Sequence, residues 1–492
     1  MSSKPPLPLD PAGFQLDPRQ GLARQLYQAL RERILDGRMA SHMRLPASRE
    51  LAEALGVSRN TVVRAYDQLY AEGYIDGRIG DGTYVAELGG GVPPAMPAAP
   101  QTQIPQPLRA RLQAHGPDAP REGPPRAFRL GLPALDLFPF EVWARLQAQF
   151  WRAPALECLG YGEAAGDPRL REMIAAYLRN GRGLRCTPEQ VLVTSGAQQA
   201  ISLCAQLLLQ AGDGVVLENP CYRSAAQTFA VAGARLHGIE VDRDGLDTRR
   251  LAGLSDCRLA YVTPSHQYPS GVTLSLARRL ELLEWAEREQ AWIVEDDYDG
   301  EYRYSGTPLA PLASLDRLGR VLYIGTFSKV LFPALRLGYL VVPPALVEPL
   351  TQLRTLNMRH SEIGTQAVLA EFIARGHFQR HIRRMRRAAR LRRDALLRGW
   401  PTAAAGVALP EVQAGLHVCV PVADLARERD LLARAASVGV EISGLSSYWL
   451  KDTAASEGPP PDARAGLVLG FAGVPEAQID QALKALRRAW EG

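Results

Sequence analysis

The chain begins with a row of apolar residues at helical spacing: Leu22, Leu26, Leu30 and Ile34. This row predicts a helix over 22–35. A shorter helix is predicted over 48–55, ended by Gly56, and a third starts after Ser58 and runs to about Glu72. Ser58 suits the N-cap of the third helix, because its hydroxyl can accept a hydrogen bond from a free N–H of the first turn. Two helices joined by a glycine-containing turn predict a helix-turn-helix.

A hairpin is predicted after the third helix, where strand-like pieces at 74–76 and 83–85 flank the turn-rich segment 77–82. A hairpin in this place is the wing of a winged helix, which binds double-stranded DNA. Arginine and asparagine side chains can read base edges, while helix N-termini and other arginines hold phosphates. The candidate DNA contacts are Arg49, Ser58, Arg59, Asn60, Thr61, Arg64, Arg78 and Gly80. The plainer alternative is that these arginines only solubilise a small helical domain.

A proline-rich segment separates two modules. Ten prolines fall between Pro93 and Pro125, among Ala, Gln and Gly and with almost no apolar periodicity. Such a composition is typical of an extended, semi-rigid linker. We therefore expect a DNA-binding domain over 15–87, a linker over 88–127 and a second domain over 128–492.

In the second module, short apolar runs largely alternate with helical patterns. The runs are Val191–Val193, Val215–Leu217, Leu259–Val262, Trp292–Val294, Val321–Ile324 and Leu337–Val342, and clear helical patterns are Gln199–Leu209 and Ala277–Arg288. This alternation predicts an α/β fold with a mainly parallel sheet covered on both faces. Ligands of such sheets bind beyond the carboxyl ends of the strands.

Several segments that follow these strands are chemically suggestive. Gly196, Ala197 and Gln198 open a helix directly after the first strand, where free N–H groups and the helix dipole favour a phosphate. Tyr222 follows the second strand, and its ring would either stack on a flat heterocycle or fill a core. Many helix-opening turns bind nothing, so neither segment is decisive alone.

Lysine usage singles out one residue. Of 57 basic residues only four are lysines: Lys4, Lys329, Lys451 and Lys484. A lysine kept in an arginine-rich chain, among apolar and hydroxyl residues, indicates a need for an amine that can lose its proton and attack a carbonyl. Lys329 has this setting, just after the run at 321–324. The hydroxyls of Thr326 and Ser328 and the guanidinium of Arg336 suit a phosphate held beside that carbonyl.

These parts together are those expected for pyridoxal 5′-phosphate bound to Lys329 as a Schiff base. Asp296 and Tyr298 share one face of an extended chain, because side chains alternate along a strand. In this hypothesis Asp296 pairs with the pyridine nitrogen and Tyr298 bonds the ring hydroxyl. At least one of the three consecutive carboxylates at 295–297 is expected to meet a cation. A solvated loop after a buried strand is the alternative for this segment.

Composition narrows the class of protein. A chain of 492 residues with 46% hydrophobic and 22% charged residues is an ordinary multidomain globular protein. The 57 basic against 52 acidic residues indicate little about partners, since residues 1–86 hold 11 basic and 10 acidic ones. Six scattered cysteines without a C-x-x-C pair predict a reducing compartment and no metal site. With no signal peptide and no membrane-length apolar run, we expect a cytoplasmic protein.

The first module closely resembles the GntR family of winged-helix regulators. The resemblance rests on Leu45-Pro46-Ala47-Ser48-Arg49-Glu50-Leu51-Ala52, on Leu55-Gly56-Val57-Ser58-Arg59-Asn60-Thr61-Val62, on Ala65-Tyr66 and on Glu72-Gly73-Tyr74. One departure lies at 40–44, where the family usually has a glycine turn.

From about residue 128 onward the chain resembles the fold-type I aminotransferases, which have a smaller C-terminal lobe. The resemblance rests on Ser195-Gly196-Ala197-Gln198-Gln199, on the Asp-Tyr pair, on Thr326-Phe327-Ser328-Lys329 and on Arg336-Leu337-Gly338-Tyr339. Tyr161 resembles the tyrosine that reaches the partner subunit's phosphate, which implies a homodimer. Winged helix, linker and aminotransferase-like module together resemble the MocR family of transcriptional regulators.

Two departures from the aminotransferases bear on catalysis. Where those enzymes commonly have Asn-Pro-Thr-Gly, this chain has Tyr268-Pro269-Ser270-Gly271, although an aromatic residue here is typical of the regulators. Where many have Arg-Leu-Ser-Phe to hold a substrate carboxylate, it has Val468-Leu469-Gly470-Phe471. Arg464 or another arginine is the remaining candidate for that carboxylate.

Eight arginines lie within Gln379–Arg393, at positions 380, 383, 384, 386, 387, 390, 392 and 393. This stretch is either a second DNA-contacting surface or a long helix with a solvated basic face, and the second interpretation is favoured.

Three functions remain open. The first is a dimeric, pyridoxal phosphate-dependent transcriptional regulator that senses an amine, an amino acid or the cofactor itself at the Lys329 aldimine and thereby changes DNA binding. The second is a catalytically active aminotransferase with a DNA-binding appendage. The third, a DNA-binding protein that no longer holds the cofactor, is disfavoured because the lysine, carboxylate, tyrosine and arginine all remain.

Overall fold

The structure, a computed structural model, describes residues 14–78, 81–87, 106–116, 123–450 and 464–491. They fall into two compact units, the first within Met1–Gln103 and the second within Ile104–Gly492. Among these residues, no helix is both long and apolar enough to cross a membrane.

The first unit is a winged helix. Its described elements are α1 (Leu22–Leu35), α2 (Ser48–Leu55), α3 (Arg59–Ala71), β1 (Ile75–Arg78) and β2 (Gly82–Val85). The three predicted helices and the hairpin are confirmed, with β1 and β2 antiparallel. The helical spacing of apolar residues predicted these helices correctly, because the apolar positions of α1 and α3 form one buried core. This core includes Leu26, Leu30, Val62 and Leu69.

The turn at residues 40–44 forms without the glycine that the GntR family usually has there. His42 takes the left-handed conformation there, with φ of 65°. Its backbone N–H donates to the carbonyl oxygen of Val85 at 2.9 Å. A histidine is among the few non-glycine residues enriched in this conformation, and the hydrogen bond to β2 holds the turn in place.

The second unit is an α/β domain with a smaller C-terminal lobe. Its helices are α4 (Gln106–Ala114), α5 (Phe140–Arg152), α6 (Pro168–Arg182), α7 (Ala197–Leu208), α8 (Arg223–Ala232), α9 (Leu276–Arg288), α10 (Pro344–Met358), α11 (Ile363–Ala374), α12 (His377–Gly399), α13 (Thr402–Ala405), α14 (Leu425–Ser437) and α15 (Glu476–Glu491). Its strands are β3 (Val191–Thr194), β4 (Gly214–Asn219), β5 (Arg235–Asp242), β6 (Gly245–Leu246), β7 (Cys257–Val262), β8 (Trp292–Asp297), β9 (Val321–Thr326), β10 (Gly338–Val341), β11 (His417–Pro421), β12 (Ser443–Gly444) and β13 (Gly466–Gly470).

The described strands form one large and one small sheet in this unit. The large sheet has the order β3-β10-β9-β8-β7-β4-β5-β6, and the small one, in the C-terminal lobe, has the order β11-β13-β12. Strands β9, β8, β7, β4 and β5 run parallel, while β10 is antiparallel to both β3 and β9. The mainly parallel sheet was predicted. Strand β5 was missed, because its partly exposed residues do not form an apolar run.

The segment predicted as an extended linker contains the helix α4. Pro107 does not prevent it, because proline is tolerated in the first turn of a helix, where the N–H has no partner to lose. Helix α4 contacts α8. Directly after α4, the carbonyl oxygen of Gly116 accepts a hydrogen bond from Gln227 Nε2 at 3.0 Å. The end of this segment therefore belongs to the second unit.

Candidate cofactor-binding site

A cavity of about 380 Å³ opens beyond the carboxyl ends of the parallel strands β7, β8 and β9. Nine of the residues singled out as cofactor ligands line it: Ala197, Gln198, Tyr222, Asp296, Tyr298, Thr326, Ser328, Lys329 and Arg336. They come from five separate segments. The topology brings them together because parallel strands all end at the same edge of the sheet.

Lys329 lies three residues after the end of β9 and points into this cavity. Its Nζ donates to the carbonyl oxygen of Gly131 at 2.9 Å. Burial lowers the pKa of the amine, and the carboxylates of Asp299 and Asp296 offset part of that effect. A lowered pKa increases the fraction of neutral, nucleophilic amine.

Gly131 makes room for the lysine. Its φ is +81°, and a Cβ added there would lie 3.0 Å from Lys329 Nζ. A larger residue would therefore be strained by its backbone and would crowd the amine. Gly131 belongs to the site although no sequence pattern pointed to it.

Asp296 lines the cavity, and its carboxylate has one unsatisfied oxygen. Tyr261 donates its hydroxyl to Asp296 Oδ2 at 2.6 Å, whereas Oδ1 is buried and has no hydrogen-bond partner among the described residues. Burial raises the pKa of Asp296 to about 6, against the lowering effect of the Tyr261 hydrogen bond. A protonated pyridine nitrogen is a donor and a cation, and it would satisfy both the free oxygen and the charge.

The two carboxylates beside Asp296 are engaged within the protein, although Asp297 Oδ1, like Asp296 Oδ1, has no hydrogen-bond partner among the described residues. Asp297 forms a buried ion pair with Arg182, so the cation expected for this acidic run is present. Glu295 accepts the backbone N–H groups of Leu312 at 2.7 Å and Ala313 at 2.8 Å, and burial raises its pKa to about 7. Only the middle carboxylate of the three lines the cavity.

The phosphate side of the cavity forms at the start of α7. Gly196 precedes this helix with φ of 82°, and the guanidinium of Arg336 would lie 3.3 to 3.4 Å from a Cβ at that position. Arg336 Nη2 donates to the carbonyl oxygen of Ser195 at 2.8 Å. The first N–H groups of a helix lack intrahelical acceptors, so Ala197 and Gln198 offer donors beside this cation.

Tyr298, which lines the cavity, is hydrogen-bonded to a histidine. Its hydroxyl donates to the carbonyl oxygen of His266 at 2.9 Å and lies 3.0 Å from Nδ1 of the same residue. His266 Nδ1 is also 3.0 Å from Asp299 Oδ2. The pattern His266-Gln267 before Tyr268 therefore has a structural role that sequence reasoning did not assign.

Tyr268 occupies the place of the missing asparagine and packs among aromatic rings. Its ring meets Tyr222, Tyr298, His417 and Tyr448 at centroid distances of 5.3 to 5.7 Å. Burial lowers the pKa of His417 to about 3, so this imidazole is neutral. His417 and Tyr448 come from the C-terminal lobe, and no local sequence signal connects them with Lys329 and Arg336, which lie far earlier in the chain.

The other cavity-lining residues missed by sequence reasoning carry no distinctive motif: Leu130, Arg223, Ser224, Tyr261, Thr263, Pro333 and Leu416. In the sequence, for example, Tyr261 cannot be distinguished from the apolar residues of β7 that surround it.

Arg464 does not supply the missing substrate arginine. It forms an ion pair with Glu240 and its Nη1 lies 3.4 Å from the carbonyl oxygen of Val241. It is not among the residues that line the cavity. Of the candidates raised from the sequence, Arg464 is therefore not placed in the cavity, whereas other arginines, Arg223 and Arg336, line it.

Tyr161 is not brought into the cavity either. Its side chain is 82% exposed, and the guanidinium carbon of Arg359 lies 4.9 Å from its ring centroid. Within one chain this tyrosine is not among the residues that line the cavity.

In the first unit, the predicted DNA contacts surround the start of α3. Ser58 is the N-cap and accepts the backbone N–H of Thr61 at 3.1 Å. Arg49, Arg59, Asn60 and Arg64 are exposed. The side chain of Arg78 and all of Gly80 lie outside the described residues.

The arginine-rich stretch forms part of α12, and much of it is engaged within the second unit. Arg392 pairs with Asp136 at 2.7 Å and donates to the carbonyl oxygen of Ala472 at 2.6 Å. Arg386 and Arg393 donate to the carbonyl oxygens of Glu301 and Val412 at 2.8 and 2.9 Å. These contacts favour the structural interpretation of this helix.

Two family profiles match the chain. The one described as "Aminotransferase class I and II" matches residues 129–486, and the one described as "Bacterial regulatory proteins, gntR family" matches residues 22–85.

Curated relatives share both modules. A probable rhizopine catabolism regulatory protein, MocR, of Rhizobium meliloti is 39% identical over 95% of this chain and 93% of its own. The HTH-type pyridoxine biosynthesis transcriptional regulator PdxR of Corynebacterium glutamicum is 34% identical over 86% of this chain and 88% of its own.

Solved aminotransferases share the fold of the second unit. The kynurenine aminotransferase of Pyrococcus horikoshii, solved in complex with PMP, has a TM-score of 0.66 and 27% identity, covering 80% of this chain and 95% of that one. The α-aminoadipate aminotransferase LysN of Thermus thermophilus, complexed with N-(5′-phosphopyridoxyl)-L-leucine, has a TM-score of 0.66 and 29% identity, covering 74% and 92%.

Proposed function

Because the chain belongs to the MocR-type transcriptional regulators, in which a GntR-family winged helix is joined to an aminotransferase class I and II domain, we propose that it is a DNA-binding regulator controlled by pyridoxal 5′-phosphate at Lys329. A small amine, an amino acid or the cofactor itself is the effector. Its arrival at Lys329 changes how the winged helix binds DNA.

The observation that carries this proposal is the pairing of Lys329 with Asp296 in one cavity. The amine is buried with a lowered pKa, and Asp296 Oδ1 is a buried acceptor without a partner among the described residues. A buried polar atom left unsatisfied is costly, so its presence beside a reactive amine favours a ligand with a donor at that place.

Different residues around the cavity would hold different parts of the cofactor. Gly196, Ala197, Gln198, Thr326, Ser328 and Arg336 would bind its phosphate, Tyr222 would cover its ring, Asp296 would hold the ring nitrogen protonated and Tyr298 would contact the ring hydroxyl. When bound, pyridoxal phosphate supplies an aldehyde carbon that forms a double bond with a primary amine, so an effector amine displaces that of Lys329 without net uptake or release of water.

Two residues of the second unit connect the cofactor cavity with the end of α4. Arg223 and Tyr448 line the cofactor cavity and also a smaller cavity of about 150 Å³, whose other lining residues include Ala114, His115 and Gly116 at the end of α4. Helix α4 lies at the start of the second unit, next in sequence to the segment that leads to the winged helix. An effector that moves Arg223 or Tyr448 would therefore disturb the docking of α4, provided that it binds the two states unequally.

We further propose a homodimer. Large apolar side chains are exposed near Tyr161: Trp151, Leu156, Leu159, Leu356 and Met358. Met358 also contacts Gln199 and Ser195 beside the phosphate side, with Nε2 to Sδ 3.0 Å and Oγ to Sδ 3.6 Å. An exposed apolar patch of this kind marks an interface, and a second copy covering it would bring its own Tyr161 close to the phosphate.

The test compares the wild type with Lys329→Ala and with Lys484→Ala, an exposed lysine far along the chain. Each protein is reconstituted with pyridoxal phosphate, and its visible spectrum and its affinity for a DNA fragment selected by the full-length protein are measured with and without added amines. We expect a visible band in the wild type and in Lys484→Ala but not in Lys329→Ala. Where the band is present, an added amine should change both the band and the DNA affinity.

If Lys329→Ala keeps the band, as Lys484→Ala does, the proposal is refuted. Sustained production of a keto acid from an amino donor would favour the alternative, a working aminotransferase with a DNA-binding appendage.

A further inference from the structure

One wall of the cavity, formed by Tyr268 and by residues of the C-terminal lobe, is built from neutral groups. It contains the hydroxyls of Tyr268 and Tyr448, whose oxygens are 3.4 Å apart, and the imidazole of His417. Burial lowers the pKa of His417 to about 3, so it carries no charge at neutral pH. Leu130 and Leu416 complete this wall.

Val468, which stands where many aminotransferases have a carboxylate-binding arginine, supports this wall from behind. It is completely buried in β13 and forms one cluster with Tyr448, against which Leu130 and Tyr268 pack. A carboxylate brought to this side would meet apolar and aromatic surface in place of a guanidinium.

The described lining of the cavity holds few cations. Apart from Lys329, they are Arg336 and Arg223. Arg336 lies against Gly196 on the phosphate side, whereas Arg223, at the start of α8, also lines the smaller cavity together with Tyr448. A phosphate monoester carries close to two negative charges at neutral pH, so Arg336 would be engaged by the phosphate of the cofactor and not by a carboxylate of the effector.

Arginines elsewhere near the C-terminal lobe are engaged outside the cavity. Arg129 forms a bidentate pair with Glu441, with N–O distances of 2.6 and 2.7 Å, and Arg464 pairs with Glu240. Neither lines the cavity.

We propose that the effector is a primary amine without a carboxylate, whose remaining polar groups are uncharged hydroxyls. The amine is required by Lys329, so this inference rests on the proposed function. The hydroxyls of Tyr268 and Tyr448 and the neutral His417 donate and accept hydrogen bonds, as an alcohol or phenol requires. An ionised carboxylate buried against the wall of Tyr268, Tyr448 and His417 would lose its hydration without gaining a counter-charge.

The experiment compares compounds that differ in the carboxylate. The cofactor-loaded protein is titrated with serinol (2-amino-1,3-propanediol) and serine, and with tyramine and tyrosine, and the visible spectrum gives the half-saturating concentration of each. We expect serinol and tyramine to act at concentrations about 100-fold lower than their carboxylated partners, as for an ionised group buried without a partner. DNA affinity should change over the same concentration range.

Two variants sharpen the test. Val468→Arg supplies the missing counter-charge and is expected to lower the half-saturating concentration of serine and tyrosine by about tenfold, whereas Val468→Leu, which keeps the site apolar, should not. If Val468→Arg does not fold, the wild-type titration still decides.

Equal or tighter binding of the amino acids would overturn the inference. If the wild type prefers the carboxylated compounds and Arg223→Gln loses this preference, that arginine binds the carboxylate, and the inference is overturned as well. If no amine changes a Lys329-dependent band, the proposed function itself fails. A band that responds mainly to amino acids leaves the proposed function standing and refutes only the absence of a carboxylate.

Discussion

Replacing Tyr261 by phenylalanine tests the role of Asp296 through a single hydroxyl group. This hydroxyl donates to Asp296 Oδ2 at 2.6 Å and lowers the pKa of a carboxyl that burial raises to about 6. A hydrogen bond to a charged group contributes about 1.5 to 3 kcal/mol, which corresponds to about one to two pH units. Tyr261→Phe should therefore raise the pKa of Asp296 from about 6 into the neutral range.

The consequence concerns cofactor affinity as a function of pH. Only the ionised carboxylate pairs with a protonated ring nitrogen, so this contribution is present above the pKa of Asp296 and is lost as the pH falls through it. We expect affinity for pyridoxal phosphate, measured by fluorescence quenching between pH 5 and 9, to fall at a pH about one to two units higher in Tyr261→Phe than in the wild type.

Tyr323→Phe is the matched control. It removes an equally buried hydroxyl that donates to the neighbouring carboxylate, Asp297, at 2.7 Å, but neither residue lines the cavity. Its affinity profile should follow that of the wild type. An unchanged profile in Tyr261→Phe, or an equal shift in Tyr323→Phe, would refute the assignment of Asp296 to the ring nitrogen.

Further substitutions test the DNA-binding unit and its coupling to the cavity. Ser58→Ala removes the N-cap of α3 and should destabilise the first unit by about 1 kcal/mol in calorimetric unfolding. Arg59→Gln should weaken DNA binding by about 1 to 3 kcal/mol in fluorescence anisotropy, whereas Arg390→Gln, on the exposed face of α12, should change it less than about twofold; the opposite order would make α12 the DNA-contacting surface. Gln227→Ala removes the hydrogen bond to Gly116 and should keep the amine-dependent spectrum but reduce the response of DNA affinity, while Gln206→Ala on exposed α7 surface should leave both unchanged.

Local patterns were sufficient for the first unit. The predicted helices over 22–35 and 48–55 match α1 and α2 at both ends. The reason is that short-range periodicity decides which face of each helix is buried, and capping by Ser58 and Gly56 decides where helices begin and end. Strand β5 escaped prediction, because its burial depends on neighbours that are distant in sequence.

The candidate site was recognisable from the sequence only where residues followed strands of the parallel sheet. Lys329, Asp296 and Tyr298 were accessible to this reasoning because strand ends meet at one edge of the sheet. Gly131 and Tyr261 were not, since a glycine in a loop and a tyrosine in an apolar strand carry no sign of their partners.

The sequence by itself determined the two modules, the class of fold and the lysine on which the functional proposal depends. These follow from periodicity, from strand-end placement and from the scarcity of lysine, all of which are properties of the chain read in one dimension. Only the tertiary structure decided which groups surround that lysine. The free oxygen of Asp296, the docking of α4 and the neutral wall of Tyr268, His417 and Tyr448 arise from contacts between residues far apart in the chain, and a pKa or a charge balance depends on those contacts.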